Sequence, residues 1–220
     1  TLHYLRNMPT GCWRFWNLLP VSGDPLDEET LSRLTALARE RLVSYLKLWR
    51  RELPGYANAT IDQTGFGLGI RESRRIKGIK TLTAEMVVGA TKQSDAIGHG
   101  VWMIDIHDPK GTGYTTYSDS SEKLRLPAGT SYHIPLSTCI NNRIPNLAVV
   151  GRCASSTHEA HSSVRVQTHG MVMGQGVGTA AALALHSGRE LGQVDVPVLQ
   201  ETLRDDGVYL CDVPTAGKDR

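Results

Sequence analysis

An α+β fold is what this sequence predicts: a small mixed or antiparallel sheet flanked by helices, followed by a C-terminal strand–helix unit. Three stretches predict it. Residues 28–49 repeat apolar side chains at helical spacing, and the middle of the chain holds short β-type runs between turn residues. Residues 146–184, NLAVVGRCASSTHEAHSSVRVQTHGMVMGQGVGTAAALA, pass from an apolar run at 147–150 through Gly151-Arg152 to glycines at 174, 176 and 178, then to an Ala-rich segment. That order reads as strand, small-residue turn and helix.

Residues 1–23 read as irregular. From Asp24 the helix signals sharpen: Asp24 as cap, Pro25 at the first position and Asp27 in the first turn. Leu31, Leu34, Ala38, Leu42, Tyr45, Leu46 and Trp49 make one buried stripe, and Pro54-Gly55 ends the helix, which spans 25–53.

Between 60 and 80, Gly65, Gly67 and Gly69 alternate with Phe66, Leu68 and Ile70, predicting a strand with one face stripped of side chains. Arg71, Arg74 and Arg75 follow at once. Their guanidinium groups can hold a carboxylate or phosphate bidentately, with Glu72 orienting one of them; the plainer reading is a salt-bridged surface turn. Thr83 caps a short helix to Val88. The apolar run at 101–106 predicts a strand that would put Asp105 and His107 on one face, an acid beside an imidazole. Short β-type runs follow at 123–126 and 130–135, and Pro197 opens a last helix closed by Gly207. The tail at 212–220 is polar.

Composition narrows the function classes. With 220 residues the chain is long enough for a core that needs no staples. Its four cysteines form no CxxC pair, so neither a disulfide scaffold nor a zinc ribbon is indicated. A net charge of +2 without a Lys/Arg block argues against nucleic acid, and no apolar run is long enough to span a bilayer. The compartment stays unassigned, with the cytoplasm favoured.

Pattern alone leaves the glycines of 174–178 open between close packing on a sheet and a bound nucleotide beside a helix N-terminus. The ordered set of motifs goes further: GIRESRRIKG at 69–78, DIHDP at 105–109, YHIP at 132–135, NLAVVGR at 146–152, STHEAHSSVRV at 156–166 and MGQGVGTAAALA at 173–184. With the long helix before them, they resemble the C-terminal portion of FAD-dependent oxidoreductases with a glutathione-reductase-like FAD fold, over 28–210.

The resemblance implies that residues 1–140 form a substrate-domain-like region and 141–211 the end of an FAD-binding domain. It also implies hydride transfer from an organic donor to FAD. Gly151, Arg152, Gly174, Gln175, Gly176, Gly178 and Thr179 would contact the cofactor, and the helix dipole would stabilise charge on the reduced ring. Arg71, Arg74 and Arg75 become candidates for binding a small-molecule substrate, and His107 and His158 for proton transfer.

One part of the family pattern is missing: no GxGxxG unit precedes residue 60, and the chain starts without Met. The expectation is a C-terminal fragment whose N-terminal FAD domain lies elsewhere. Such a piece would bind FAD weakly or not at all, and its strand at 147–150 would either pair with another chain, as in a homodimer, or leave an unpaired edge. Three further readings stand beside this one. Gly176, Gly178 and Ala181 with Asp195 match a nicotinamide fingerprint; His158, His161 and His169 with Glu159 suggest a metal site, although no metal is expected; and the piece can be a catalytically silent assembly module.

Overall fold

The computed structural model describes residues 5–7, 13–15, 19–106, 125–210 and 212. It divides into two compact units, residues 1–70 with 107–114, and residues 71–106 with 115–220. The class is α+β as expected.

In the first unit, β1 (Leu5–Asn7) pairs antiparallel with β2 (Trp13–Phe15), with Arg6 opposite Arg14, where an irregular segment is expected from sequence. The long helix α1 spans Glu28–Glu52. Its cap is Asp27 rather than Asp24: the Asp27 carboxylate accepts from Glu29 N–H, and Asp24 instead accepts from Leu26 N–H in the turn before. Glu28 and Glu29 at its start and Arg50 and Arg51 at its end complement the helix dipole. Of the expected stripe, Leu34 and Trp49 are buried and Tyr45 is exposed. The glycine-alternating run at 65–70 forms no strand, and Phe66 is fully exposed. Alternation sets which way side chains point, but a strand also needs a partner ladder, and this one lacks it among the described residues.

The second unit is built around a two-stranded antiparallel hairpin, β3 (Ala96–Gly100) and β4 (Tyr132–Pro135), with His99 opposite His133 and Gly100 opposite Tyr132. Five helices occur among the described residues: α1, α2 (Ala84–Val88), α3 (His158–Val164), α4 (Gln167–Ser187) and α5 (Val196–Asp205). Local signals start the short ones. Thr83 accepts from Met86 N–H at α2, Thr157 from Ala160 N–H at α3, and Asp195 from Val198 N–H at α5. Asp195 is therefore a helix cap and not the ribose acid of a nicotinamide site.

One face of the hairpin carries the core. Ile97, Tyr132 and Ile134 are buried with Met173, Ala180 and Leu199, each large apolar side chain contributing about 1.5–3 kcal/mol. Helix α4 crosses β3 closely because glycine stands on both sides. A Cβ on Gly176 would lie 2.5 Å from Ile97 Cβ, and one on Gly98 would overlap Val172 Cγ1. From α5, Gln200 donates to the carbonyls of Ser94 and Ala96 at 2.7 and 3.1 Å, tying the hairpin's edge to the helices.

Two sequence expectations fail here for a shared reason: backbone groups find partners other than a sheet. Residues 147–150 make a single antiparallel bridge, Ala148 to Ile140, and Val149 N–H donates to the Cys139 carbonyl. No strand exists there, so the pairing edge proposed for a homodimer has no basis. Residues 101–106 form no strand either. Val101 N–H donates to His169 Nε2 (3.1 Å) and Asp105 N–H to Ser162 Oγ (3.0 Å). The Trp102 carbonyl accepts from Ser163 Oγ (2.5 Å) and the Asp105 carbonyl from Arg165 Nη2 (3.0 Å). Side chains from α3, its C-cap and α4 thus stand in for a neighbouring strand at four backbone groups of this segment.

The third correction concerns α4. It starts at Gln167, so Gly174, Gly176 and Gly178 lie inside the helix and not in a turn before it. The Ala-rich half carries the helix through its glycines. A nicotinamide fingerprint needs a strand running into the Gly-rich turn, and Gly176, Gly178 and Ala181 follow helix instead. Among the described residues, no helix is long and apolar enough to cross a membrane.

Candidate functional site

Two groups of sequence-predicted site residues lie in the second unit, and the first gathers at α3. This helix buries His161, Ser162 and Ser163 as well as Ala160 and Val164, so its inner face is polar by design of the sequence rather than by accident of exposure. Residues 71–76 run past it: His161 Nε2–H donates to the Arg71 carbonyl at 3.0 Å, and Ile76 N–H donates to the Cys153 carbonyl at 2.9 Å. Glu72 accepts from Arg75 and, at 2.7 Å, from His158 Nδ1. Burial opposes ionisation of Glu72, yet the Arg75 hydrogen bond and the neighbouring His158 and Arg75 charges outweigh it and hold the carboxyl below its usual range.

Arg165, at the C-cap of α3, completes the group. Burial and the nearby Arg71 guanidinium both lower its affinity for its proton, while Asp105 and Glu72 favour the charge. Arg71, Arg75 and Arg165 therefore share one neighbourhood with Glu72, Asp105, His158 and His161, an arrangement suited to an anion beside an imidazole. Arg74 is exposed. His107, the other candidate for proton transfer, lies outside the described residues.

The candidate metal set from sequence comes apart. His158 is exposed on Glu72, and His161 is buried on the Arg71 carbonyl. His169 donates from Nδ1 to the Ser163 carbonyl at 3.1 Å while Nε2 accepts from Val101 N–H. Each imidazole is committed to a different partner.

The bonding of His169 sets a pH dependence. Burial pushes its pKa down, against the Ser163 carbonyl, which raises it. A second proton would face the Val101 N–H. The unfolded chain, titrating near about 6.5, takes a proton before the folded one does, so this stability is complete above that pH and is lost as pH falls below it. Unfolding free energies from urea titrations should decline between about pH 7 and 5, by up to about 1.4 kcal/mol per pH unit for each such histidine. His169→Gln, which keeps an acceptor for Val101, should flatten the decline; an unchanged slope would refute the assignment.

The second group is the outer face of α4. Gly170, Gly174 and Gly178 recur every fourth residue and so share one face of the helix. Among the described residues, Gly174 and Gly178 have no neighbouring atom within 4 Å of a would-be Cβ, while the same point on Gly170 is 3.9 Å from Gly151 Cα. Gly151 has φ +68 and begins a 3-10 turn, Gly151–Cys153, beside the first turn of α4. Val166 caps α4 without a side-chain hydrogen bond, so the first N–H groups of the helix have no acceptor from the cap. Arg152 and Gln175 are exposed and Thr179 is half-buried, whereas Gly176 is turned into the hairpin.

Sequence reasoning located Arg71, Glu72 and Arg75 because they are adjacent in the chain. It missed Arg165, Gly170 and the bonding role of His169. A serine pair followed by Arg and His was the one visible signal, and it acquires meaning only once residues 101–106 are known to lack a strand partner.

Residues 5–203 match the family model described as FAD dependent oxidoreductase. No curated protein and no solved structure matches the chain.

Proposed function

Because the chain belongs to the FAD dependent oxidoreductase family, with FAD the cofactor that membership implies, we propose that it forms the flavin-end and substrate portion of a glutathione-reductase-like flavoenzyme that takes a hydride from an organic donor. The observation that carries the placement is the side-chain-free face of α4. A glycine inside a helix costs about 1 kcal/mol against alanine, and here Gly174 and Gly178 meet nothing among the described residues that an alanine would disturb. A flat group lying along them gives those glycines a purpose.

In this reading Gly151, Arg152, Gly174, Gln175, Gly178 and Thr179 line the flavin end. Gly176 is left out because it packs on Ile97. The dipole-positive end of α4 sits at Gln167 beside Gly151 rather than at Thr179, so negative charge on the ring is best served there. FAD supplies the hydride acceptor when bound. The adenosine half falls to a dinucleotide-binding unit outside this sequence, which contains no GxGxxG before residue 60.

The residues at α3 then handle the donor. Arg71 and Arg75 hold an anionic group of the substrate, Arg75 being oriented by Glu72. The Nδ1–H of His158 is fixed on Glu72, which leaves Nε2 as the basic nitrogen for a proton released as the donor is oxidised.

An amide-resolved titration with FAD tests the placement. Saturating FAD should move the amide resonances of Gly151, Gly170, Gly174 and Gly178 and leave Gly129 and Gly192 in place. Shifts confined to residues away from α4 would overturn it.

A further inference from the structure

The face of the β3–β4 hairpin turned away from α4 carries a second constellation, independent of the flavin. His99 and His133 are cross-strand partners, so the register puts both imidazoles on one face, with ring centroids 4.6 Å apart. The C-terminal segment brings a carboxylate to them. Asp212 Oδ1 lies 3.1 Å from His99 Nε2 and 3.0 Å from His133 Nε2, and the three ligand atoms fall within 4.8 Å of one another.

We propose that His99, His133 and Asp212 form a binding site for a divalent zinc-type cation. Asp212 Oδ1 hydrogen-bonds His133 Nε2 at 3.0 Å and leaves His99 Nε2 poorly aligned. Among the described residues, the buried His99 Nε2 has no hydrogen bond of acceptable geometry, although Asp212 is within reach. A cation removes the mismatch, because it accepts a lone pair from each of the three atoms at once. Two imidazoles and a carboxylate suit Zn2+ or Co2+, at about 2.0–2.2 Å, and a small inward rotation of the rings reaches that distance.

The surroundings have the form of an outer shell that orients ligands. Ser131 Oγ is 2.6 Å from His99 Nδ1; with the proton on Nδ1 the hydroxyl accepts that hydrogen bond and the ring's lone pair is on Nε2. Lys92 Nζ holds Asp212 Oδ2 at 2.5 Å, leaving Oδ1 as the single ligating oxygen. Gln93 presents both its N–H (2.9 Å) and its carbonyl (3.2 Å) to His133 Nδ1. With the proton on Nδ1, the ring donates to the carbonyl and Nε2 is a ligand. With Nδ1 bare, it accepts from the N–H, and Nε2–H donates to Asp212. The cation selects the first arrangement. Three protein ligands leave one position for water or another small donor, and the ring of Tyr209, 5.0 Å from that of His99, flanks the group.

Calorimetric titration of the metal-stripped full chain with Zn2+, and Co2+ titration followed by visible absorption, test this. The expected result is one equivalent bound, with d–d bands of a low-symmetry Co2+ site. Asp212→Asn should weaken binding by more than about 100-fold, and Ser131→Ala, which touches no ligating atom, by about tenfold. His186→Ala, on an exposed turn of α4, should bind as the parent does. Absence of Co2+ bands in the parent chain, or an Asp212→Asn variant that binds with parental affinity, would overturn the site.

Discussion

Replacing Gly98 by alanine should cost about 1–3 kcal/mol of folding stability, and much of that cost should vanish when Val172 is shortened to alanine in the same chain. The two residues face each other where α4 crosses β3, and a Cβ on Gly98 would overlap Val172 Cγ1. Valine has a stiff χ1 in a helix, so it cannot swing aside without strain. Val172→Ala on its own removes apolar contact and destabilises modestly, but it opens the space the new methyl needs. The test is a four-member urea-unfolding cycle. A coupling of about 1 kcal/mol or more in the compensating direction is expected for residues in direct contact, whereas simple additivity would mean that β3 and α4 do not meet at this point.

Gly174→Ala and Gly178→Ala should move stability and flavin binding in opposite directions. Both glycines lie in the interior of α4 with open space where a Cβ would go, so alanine should add about 0.8–1 kcal/mol each, or a rise of roughly 2–4 °C in the unfolding midpoint. If the flavin lies along this face, the added methyls stand between it and the backbone, and affinity should drop about tenfold or more, some 1.4 kcal/mol. Thermal unfolding and flavin fluorescence quenching on the same samples read the two effects. Gly176→Ala is the internal contrast: it should lower stability, because its methyl enters Ile97. A double variant that is both more stable and an undiminished flavin binder would remove the glycine face from the site.

What the sequence made legible follows from how local each signal is. α1, α2 and α5 were readable from local signals: a run of apolar side chains declares α1, although its cap is Asp27 and not Asp24, Thr83 caps α2, and Pro197 marks the start of α5. β4 was readable from a short β-type run. β3 was not: Gly98 and Gly100 weaken its pattern, and both are there because a helix and a tyrosine ring approach from outside the strand. The same blindness moved the start of α4. Glycines at 174–178 look like a turn until one knows that Gly176 is pressed onto Ile97 and that α4 already runs from Gln167. In the site, the Arg71–Glu72–Arg75 group was visible because it is contiguous. His99 and His133 are 34 positions apart, and only the hairpin register makes them neighbours.

The tethering of residues 101–106 has a consequence for how this chain tolerates change. Strands in a ladder can slip by two positions and find equivalent bonds, because every rung resembles the next. Here the rungs are three kinds of chemical group, two hydroxyls, an imidazole and a guanidinium, addressed to Val101, Trp102 and Asp105. An inserted or deleted residue in this stretch has no alternative alignment to fall into, so length is fixed there more tightly than side-chain identity.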